Sequence, residues 1–400
     1  MKAIFKPGKL NGQIDAPPSK SMAHRYLIGA ALSGGVCTLT GVDFSEDILA
    51  TIDCLRALGA SVTVGEHTAV VDSEGFMQAE TPVLNCRESG STLRFFIPIA
   101  LCLGRNVTFC GSERLFARPL SIYEELCREK GFAFKKEKNG LTLCGKLESG
   151  IYRIRGDVSS QFITGLMFAL VYLGKDAAIA ITPPLESCPY LELTVSALRA
   201  FGADIAFAED HKIEIKAGKL HALSCSIEGD CSNAAFLDAF NRIGSQIEIG
   251  NLKPDTLQGD RVYSAYFAQL ADGTPTLDIS NCPDLGPVLF ALAALKNGAV
   301  FTGTDRLKIK ESDRGAAMHE ELRKLGGGLL FGDNKITVPK QKLCYRGIEL
   351  DGHNDHRIVM ALAVILSQTG GVIDGAQAVR KSYPGFFKDI KQLGAAVELV

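Results

Sequence analysis

The chain has 400 residues, 46% of them hydrophobic and 22% charged, and a formal net charge of -2. That length exceeds what one core comfortably fills and predicts two domains of about 200 residues each. The near balance of charge excludes a nucleic-acid binder held by bulk electrostatics, and leaves small acidic ligands as the partners that local basic clusters would suit.

The opening Met1-Lys2-Ala3-Ile4-Phe5-Lys6-Pro7 has no apolar signal core. No later apolar run reaches the roughly eighteen residues needed to span a bilayer, so the chain reads as cytoplasmic, with no membrane partner. The 12 cysteines are scattered through apolar segments without a Cys-x-x-Cys pair or a zinc-like Cys/His spacing, and most are expected to be small core residues.

Taken in chain order, Met1 to Phe5 reads as a strand, and the first recurring phrase starts at Leu55-Arg56-Ala57-Leu58-Gly59-Ala60-Ser61-Val62: a helix end, a glycine C-cap, then a strand. It returns at Leu198 to Ile205, Leu322 to Leu329 and Ile390 to Val397, with looser copies at Leu126 to Phe132 and Phe267 to Thr274. A second phrase, an apolar helix leading through a glycine into a β-branched strand, begins near Met22, Thr92, Gln161, Asn233, Gly286 and His356. Six units result, spaced by about 70 residues except between the fourth and fifth, where about 54 remain because a strand pair is missing. Helices such as Phe162 to Leu173 and Ile358 to Leu366 are apolar nearly all round, which predicts core helices with sheets packed outside them. An even split leaves the strand Met1 to Phe5 unpaired, so it is expected to join the C-terminal half. The domains then run 18–228 and 1–17 plus 229–400, with a two-segment hinge near 17–18 and 228–229 and the site in the cleft.

The chemistry-bearing residues gather where a strand or loop feeds a helix. Lys20-Ser21, with Arg25 a turn further, combines cations with helix N–H groups and suits an anion, although a serine N-cap beside a surface lysine accounts for the stretch equally well. Gly90, in Ser89-Gly90-Ser91 before Arg94, lets a ligand approach the backbone. Arg118 before Pro119, Arg314, Arg357 and Lys381 add donors for carboxylate or phosphate oxygens, though each alone reads as readily as a surface charge. Ser159-Ser160-Gln161 offers neutral donors for hydroxyls or a phosphate. The densest stretch is Arg306-Leu307-Lys308-Ile309-Lys310-Glu311-Ser312-Asp313-Arg314. With Asp284 in Pro283-Asp284-Leu285, Glu311 makes the best-placed acid-base pair, an N-cap aspartate and a lysine-paired glutamate being the plain alternatives. There is no Walker loop, dinucleotide fingerprint or Gly-x-Ser-x-Gly elbow, and His24, His353 and His356 match no standard metal spacing.

As an ordered set these motifs resemble the 5-enolpyruvylshikimate-3-phosphate synthases, nearly end to end. The set is Pro18-Ser19-Lys20-Ser21 with His24-Arg25, Ser89-Gly90-Ser91 to Arg94, Arg118-Pro119, Val158 to Phe162, Ser187 with Pro189-Tyr190, Glu228-Gly229-Asp230, Gln258-Gly259-Asp260, Pro283-Asp284, Lys310 to Arg314, Asn354-Asp355-His356-Arg357 and Lys381 to Pro384. The resemblance implies an α/β fold, a two-domain inside-out α/β barrel of six βαβαββ-type repeats, three per domain, with the fourth shortened. It implies transfer of the enolpyruvyl group of phosphoenolpyruvate to the 5-hydroxyl of shikimate 3-phosphate, with no cofactor and no metal, by a monomer. Shikimate 3-phosphate falls to Lys20, Ser21, Arg25, Ser159, Ser160, Gln161, Ser187, Tyr190, Asp284 and Lys310. Phosphoenolpyruvate falls to Lys20, Gly90, Arg118, Gln161, Arg314, Arg357 and Lys381. Asp284 is the implied base and Glu311 the implied acid, with Lys20 assisting.

Three departures stand out. Glu88 replaces a usual Asn and Ser91 a usual Thr, so a carboxylate lies beside Gly90 unless Arg87 or Arg94 pairs with it, and Arg306 replaces an Asn whose substrate contact is therefore not carried over. The rival readings are the sister transferase acting on UDP-N-acetylglucosamine and a non-catalytic sensor of a phosphorylated metabolite. The sister enzyme is similar but has Lys-Asn where this chain has Lys20-Ser21, and a reactive Cys where this chain places Glu113, with Cys110 close by. The sensor would not need the acid-base pair.

Overall fold

The computed structural model describes residues 1–209 and 211–400. The chain folds as two compact units, Pro18–Glu228 and Met1–Pro17 with Gly229–Val400. It passes from one to the other at Pro17-Pro18 and again at Glu228-Gly229.

Two strands come first, β1 (Ala3–Phe5) and β2 (Asn11–Asp15). The unit 18–228 then holds three repeats. The first is α1 (Lys20–Leu32), β3 (Val36–Thr40), α2 (Glu46–Ala57), β4 (Ser61–Val64) and β5 (Thr68–Asp72). The second is β6 (Val83–Asn85), α3 (Gly90–Leu101), β7 (Val107–Cys110), α4 (Glu113–Ala117), α5 (Ser121–Lys130), β8 (Ala133–Glu137) and β9 (Gly140–Cys144). The third is β10 (Ile151–Arg155), α6 (Ser160–Tyr172), β11 (Ala177–Thr182), α7 (Cys188–Ala200), β12 (Ile205–Ala208) and β13 (Lys212–Ile215), after which β14 (Cys225–Ser226) ends the unit.

The remaining unit repeats the scheme with one loss. α8 (Cys231–Arg242), β15 (Gln246–Gly250) and α9 (Tyr263–Asp272) form the short repeat. Next come β16 (Thr276–Asp278), α10 (Gly286–Leu295), β17 (Ala299–Thr302), α11 (Arg314–Lys324), β18 (Leu330–Gly332) and β19 (Lys335–Val338). The last repeat is β20 (Leu350–Asp351), α12 (His356–Thr369), β21 (Gly371–Asp374), α13 (Phe386–Gln392) and β22 (Val397–Leu399).

Among the described residues, five sheets share one order: a leading strand parallel to the next, then two antiparallel strands. They are β6-β7-β9-β8, β10-β11-β13-β12, β16-β17-β19-β18, β14-β3-β5-β4 and β20-β21-β1-β22. In the last, β1 takes the inner antiparallel place, in register with β21 and β22. The sixth sheet is only β15-β2, because the hairpin between β15 and β16 is absent.

Inside the sheets lie the helices that are apolar on every face. Nearly every residue of α3, α6, α10 and α12 is buried, and at about 1.5–3 kcal/mol per fully buried large apolar side chain this is the main drive to fold. The helices fall into two separate cores, one per unit. Half of the cysteines, Cys37, Cys54, Cys86, Cys127, Cys231 and Cys282, are buried in these cores, and all are free thiols.

The arginine of the recurring phrase guards the sheet edges. Arg56 donates from Nε and NH2 to the Val62 carbonyl on edge strand β4, at 3.2 and 2.6 Å. Arg199 donates to the Ile205 carbonyl on edge strand β12 at 2.6 Å. In the short repeat the Asn241 carboxamide binds both sides of Ile247 on β15, accepting from its N–H at 2.7 Å and donating to its carbonyl at 2.9 Å. A side chain thus takes hydrogen bonds that the missing hairpin would have made, which blunts an otherwise adhesive edge.

Candidate active site

In the unit 18–228, side chains tie the helix N-termini to one another. Lys20 opens α1 behind the N-cap Ser19, which accepts from the Met22 N–H at 3.4 Å, and its ammonium lies 2.9 Å from the Asp47 carboxylate. Arg25 is buried and ties α1 to α7: Nε donates to Thr194 at 2.9 Å, NH1 to the Ser21 carbonyl at 2.7 Å and NH2 to the Tyr190 carbonyl at 2.8 Å. Burial lowers its pKa to about 10, so it stays a cation at neutral pH. Ser187, fully buried, caps α7 in a left-handed conformation with φ of 56°, an uncommon one for a residue with a side chain.

Ser159 caps α6, accepting from the Gln161 N–H at 3.3 Å, and Ser160 is the first helical residue. Gln161 reaches across to α3: its Oε1 accepts from Arg94 at 2.6 Å and its Nε2 donates to Ser91 at 2.9 Å. Gly90, first residue of α3, has a direct steric reason to be glycine. A Cβ there would lie 2.7 Å from Arg118 NH1, so the glycine lets that guanidinium rest against the helix start.

A buried polar chain links three of these elements. His24 Nδ1 is 2.8 Å from Thr51 Oγ1, Thr51 is 2.8 Å from Thr92, and Thr92 donates to the Ser89 hydroxyl at 2.8 Å. Burial, then Lys20 and Arg25, hold the imidazole well below its ordinary pKa, so this link is neutral. Arg87 reaches Glu46 at 2.5 Å and Asp53 at 2.7 Å, and Arg94 donates to Gln161 and the Pro119 carbonyl.

The other unit gathers the acid-base residues. Asp284, in the tight turn Pro283–Leu285 leading into α10, accepts from Arg314 NH1 at 2.8 Å and from Arg357 NH2 at 2.9 Å, with the Lys310 ammonium 3.2 Å away. Burial pushes the Asp284 carboxyl up, but Arg357, Lys310 and Arg314 together outweigh it and hold the group well below the usual carboxylate range. Burial lowers the Lys310 ammonium in spite of Asp284, aided by Arg306, which is buried in the turn Asp305–Ile309. Arg314 is the hub. It is 1% exposed, and besides Asp284 it donates to Glu311 at 2.7 Å and to Asp355 at 2.9 Å. Lys381 donates to the Asn354 carbonyl at 2.7 Å.

Two further residues of this unit stand out in the sequence only as members of motifs. Asp355 is fully buried, caps α12 by accepting from the Arg357 N–H at 2.9 Å, and also accepts from Ser312 at 3.0 Å. Asp260 is buried and accepts from the Ser232 hydroxyl; burial first, then the Asp284 charge, push it up to about 6. An aspartate just ahead of an apolar helix is the signal for Asp355, whereas Asp260 has none, since its shift comes from remote neighbours.

Among the described residues, one group offers metal-ligand atoms within 4.8 Å of each other, Glu320, Glu321 and His353. Both Glu321 oxygens already accept from Lys324, His353 and the Asp351 N–H. No helix of the described residues is long and apolar enough to cross a membrane.

Paired carboxylates among several cations equip an enzyme that handles multiply charged anions and moves protons. The family model for EPSP synthase (3-phosphoshikimate 1-carboxyvinyltransferase) matches residues 4–271 and 273–390. A 3-phosphoshikimate 1-carboxyvinyltransferase of Clostridium kluyveri is 40% identical over 98% of this chain and 97% of its own length. One from Clostridioides difficile is 36% identical over 98% and 97%. An EPSP synthase structure from Acinetobacter baumannii covers 99% of both chains with a TM-score of 0.78 at 22% identity, a likeness that concerns the fold. The chain belongs to the EPSP synthase family.

Proposed function

We propose that the chain transfers the enolpyruvyl group of phosphoenolpyruvate to the 5-hydroxyl of shikimate 3-phosphate and releases phosphate. It is a transferase of the shikimate pathway, serving aromatic amino-acid biosynthesis. The observation that carries the mechanism is Asp284 held by Arg314 and Arg357, with Glu311 on the same Arg314 guanidinium.

Lys20, Ser21, Arg25, Ser159, Ser160, Gln161, Ser187, Tyr190, Asp284 and Lys310 hold shikimate 3-phosphate in this reading. Lys20, Gly90, Arg118, Gln161, Arg314, Arg357 and Lys381 hold phosphoenolpyruvate. Bringing the two anions together against their repulsion is the cations' first task, and it turns a bimolecular encounter into a nearly unimolecular step. As Arg314 and Arg357 turn to phosphoenolpyruvate oxygens, Asp284 loses the charges that depress it, and its burial then makes it a stronger base. It takes the 5-hydroxyl proton while the oxygen bonds to C2 of phosphoenolpyruvate, and Glu311, assisted by Lys20, protonates C3. The tetrahedral adduct then breaks its C2–O bond to phosphate and returns a proton from C3, leaving the enol ether. No step needs a metal or an organic cofactor.

The sister reaction on UDP-N-acetylglucosamine is disfavoured by the thiol nearest its reactive position. Cys110 ends β7 with its pKa raised by burial, and Glu113 is paired with Lys138 at 2.9 Å, so neither supplies a thiolate nucleophile.

Purified protein given phosphoenolpyruvate should release inorganic phosphate with shikimate 3-phosphate and not with UDP-N-acetylglucosamine. Binding of shikimate 3-phosphate without release from either acceptor would replace the reading by the sensor. The connections near 17–18 and 228–229 act as the hinge of a cleft that holds the site, so adding both ligands should lower the radius of gyration in solution scattering; an unchanged radius sinks the hinge. The enzyme is cytoplasmic and sediments as one chain.

A further inference from the structure

Glu321 sits two turns along α11 from Arg314, on the same helix face. Its side chain is fully buried, yet four hydrogen bonds from three groups satisfy it. Oε1 accepts from Lys324 Nζ at 2.9 Å and His353 Nε2 at 2.8 Å, and Oε2 from Lys324 Nζ at 2.8 Å and the Asp351 N–H at 2.8 Å. Filled in this way, the group is a latch and not a metal site.

What it latches is a strained turn. His353 and Asn354 are consecutive, neither is glycine, and both have φ of 51°. Left-handed side-chain-bearing residues persist only where surrounding contacts hold them, and they cluster where function requires the geometry. This turn delivers three groups of the site in succession. The Asn354 carbonyl receives Lys381 Nζ at 2.7 Å, Asp355 receives Arg314 and caps α12, and Arg357 reaches Asp284. Helix α11 therefore grips the turn at two points, through Arg314 on Asp355 and through Glu321 on Asp351 and His353. The first grip belongs to the site already described. The second is made by residues to which the site above gives no role.

We propose that Glu321, acting through His353, is a positioning residue that sets the turn 351–355 and so aims Lys381 and Arg357 at phosphoenolpyruvate. The proposal rests on the reading that those two cations hold that substrate. Charge strengthens the latch: the hydrogen bond to Glu321 raises the His353 imidazole above its ordinary value, ahead of the opposing effect of burial. Partners that orient the ligands of metal sites in the same indirect way are worth about 10–100-fold when removed, and that range sets the scale here.

The test uses the full chain and four variants. Glu321→Gln turns an amide N–H towards Lys324 or His353, and His353→Leu removes the imidazole that bonds Glu321. Both should raise KM for phosphoenolpyruvate about 10–100-fold, while kcat at saturation falls less than about threefold and the Kd of shikimate 3-phosphate moves less than about twofold. His353→Gln, whose amide nitrogen is as many bonds from Cβ as the imidazole Nε2, should recover most of the loss. Lys2→Ala, at the exposed pair with Glu349, serves as the control and should change nothing. An unchanged KM, or parallel losses in kcat and shikimate 3-phosphate affinity, would overturn the proposal. Should the wild type release no phosphate, the functional reading falls alone, and calorimetric titration with phosphoenolpyruvate still decides the latch: at least tenfold weaker binding in His353→Leu supports it and equal binding overturns it.

Discussion

Replacing Asp284 by asparagine should lower kcat by about 10²–10⁴-fold, the usual loss for a general base, while the Kd of shikimate 3-phosphate moves only a few-fold. Asparagine keeps the shape and one acceptor, so Arg314 and Arg357 still find a partner on one side, and the lost function is proton acceptance. Equal losses in turnover and in affinity would mean that Asp284 only binds. A second consequence concerns pH. Burial first, then the Asp284 charge, raises Asp260 to about 6. A group raised above its unfolded value of about 3.9 contributes stability below that value and loses it as pH rises through the folded one. Removing the Asp284 charge should therefore move the Asp260 titration to lower pH, readable as a shift of carboxyl resonances or of any acid-side limb in kcat/KM. An unmoved limb would show that Asp260 does not set it.

The fold was legible because its repeat is written in residues whose physics is local. Glycines after helix ends, as at Gly59, Gly131 and Gly202, take left-handed conformations, and helices apolar on all faces can only be core. The absent hairpin after β15 shows in spacing alone. What sequence could not show is pairing across distance. Strands β14 and β3 lie side by side although far apart in the chain, as do β2 and β15. The phrase arginines Arg56 and Arg199 read as ordinary helix ends, and their edge-guarding role exists only once a strand lies beside them. The candidate site divides the same way. Its charged residues announce themselves in motifs, but their partners do not: Asp47 meets Lys20 across 27 positions, Asp355 meets Arg314 across 41, and His353 meets Glu321 across 32. No periodicity encodes such pairs; they follow from which helix starts the fold brings together.

Arg314→Ala should cost more than any other single change in its unit. The guanidinium is buried and divides its donors among Asp284, Glu311 and Asp355. Burial works against its charge, but Asp355, Glu311 and Asp284 raise its pKa further, so it is a permanent cation. Alanine leaves three carboxylates facing one another, one of them fully buried in Asp355. Removing one partner of a buried ion pair costs about 3–5 kcal/mol, because the remaining charge is uncompensated. Activity should fall at least as far as for a lost transition-state donor, about 10²–10³-fold. The pH dependence separates this cause from simple loss of packing. With the cation gone, burial and the Glu311 charge raise the folded-state pKa of Asp355 above its unfolded value. Stability is then retained below the unfolded value and lost as pH rises through the folded one, so the melting deficit against wild type should be largest near pH 8 and shrink towards pH 5. Arg314→Lys, which keeps the charge but cannot fork to three carboxylates, should fall between the two and show a weaker pH trend. An Arg314→Ala protein whose deficit is the same at both pH values would place the loss in packing and remove the guanidinium from the centre of the site.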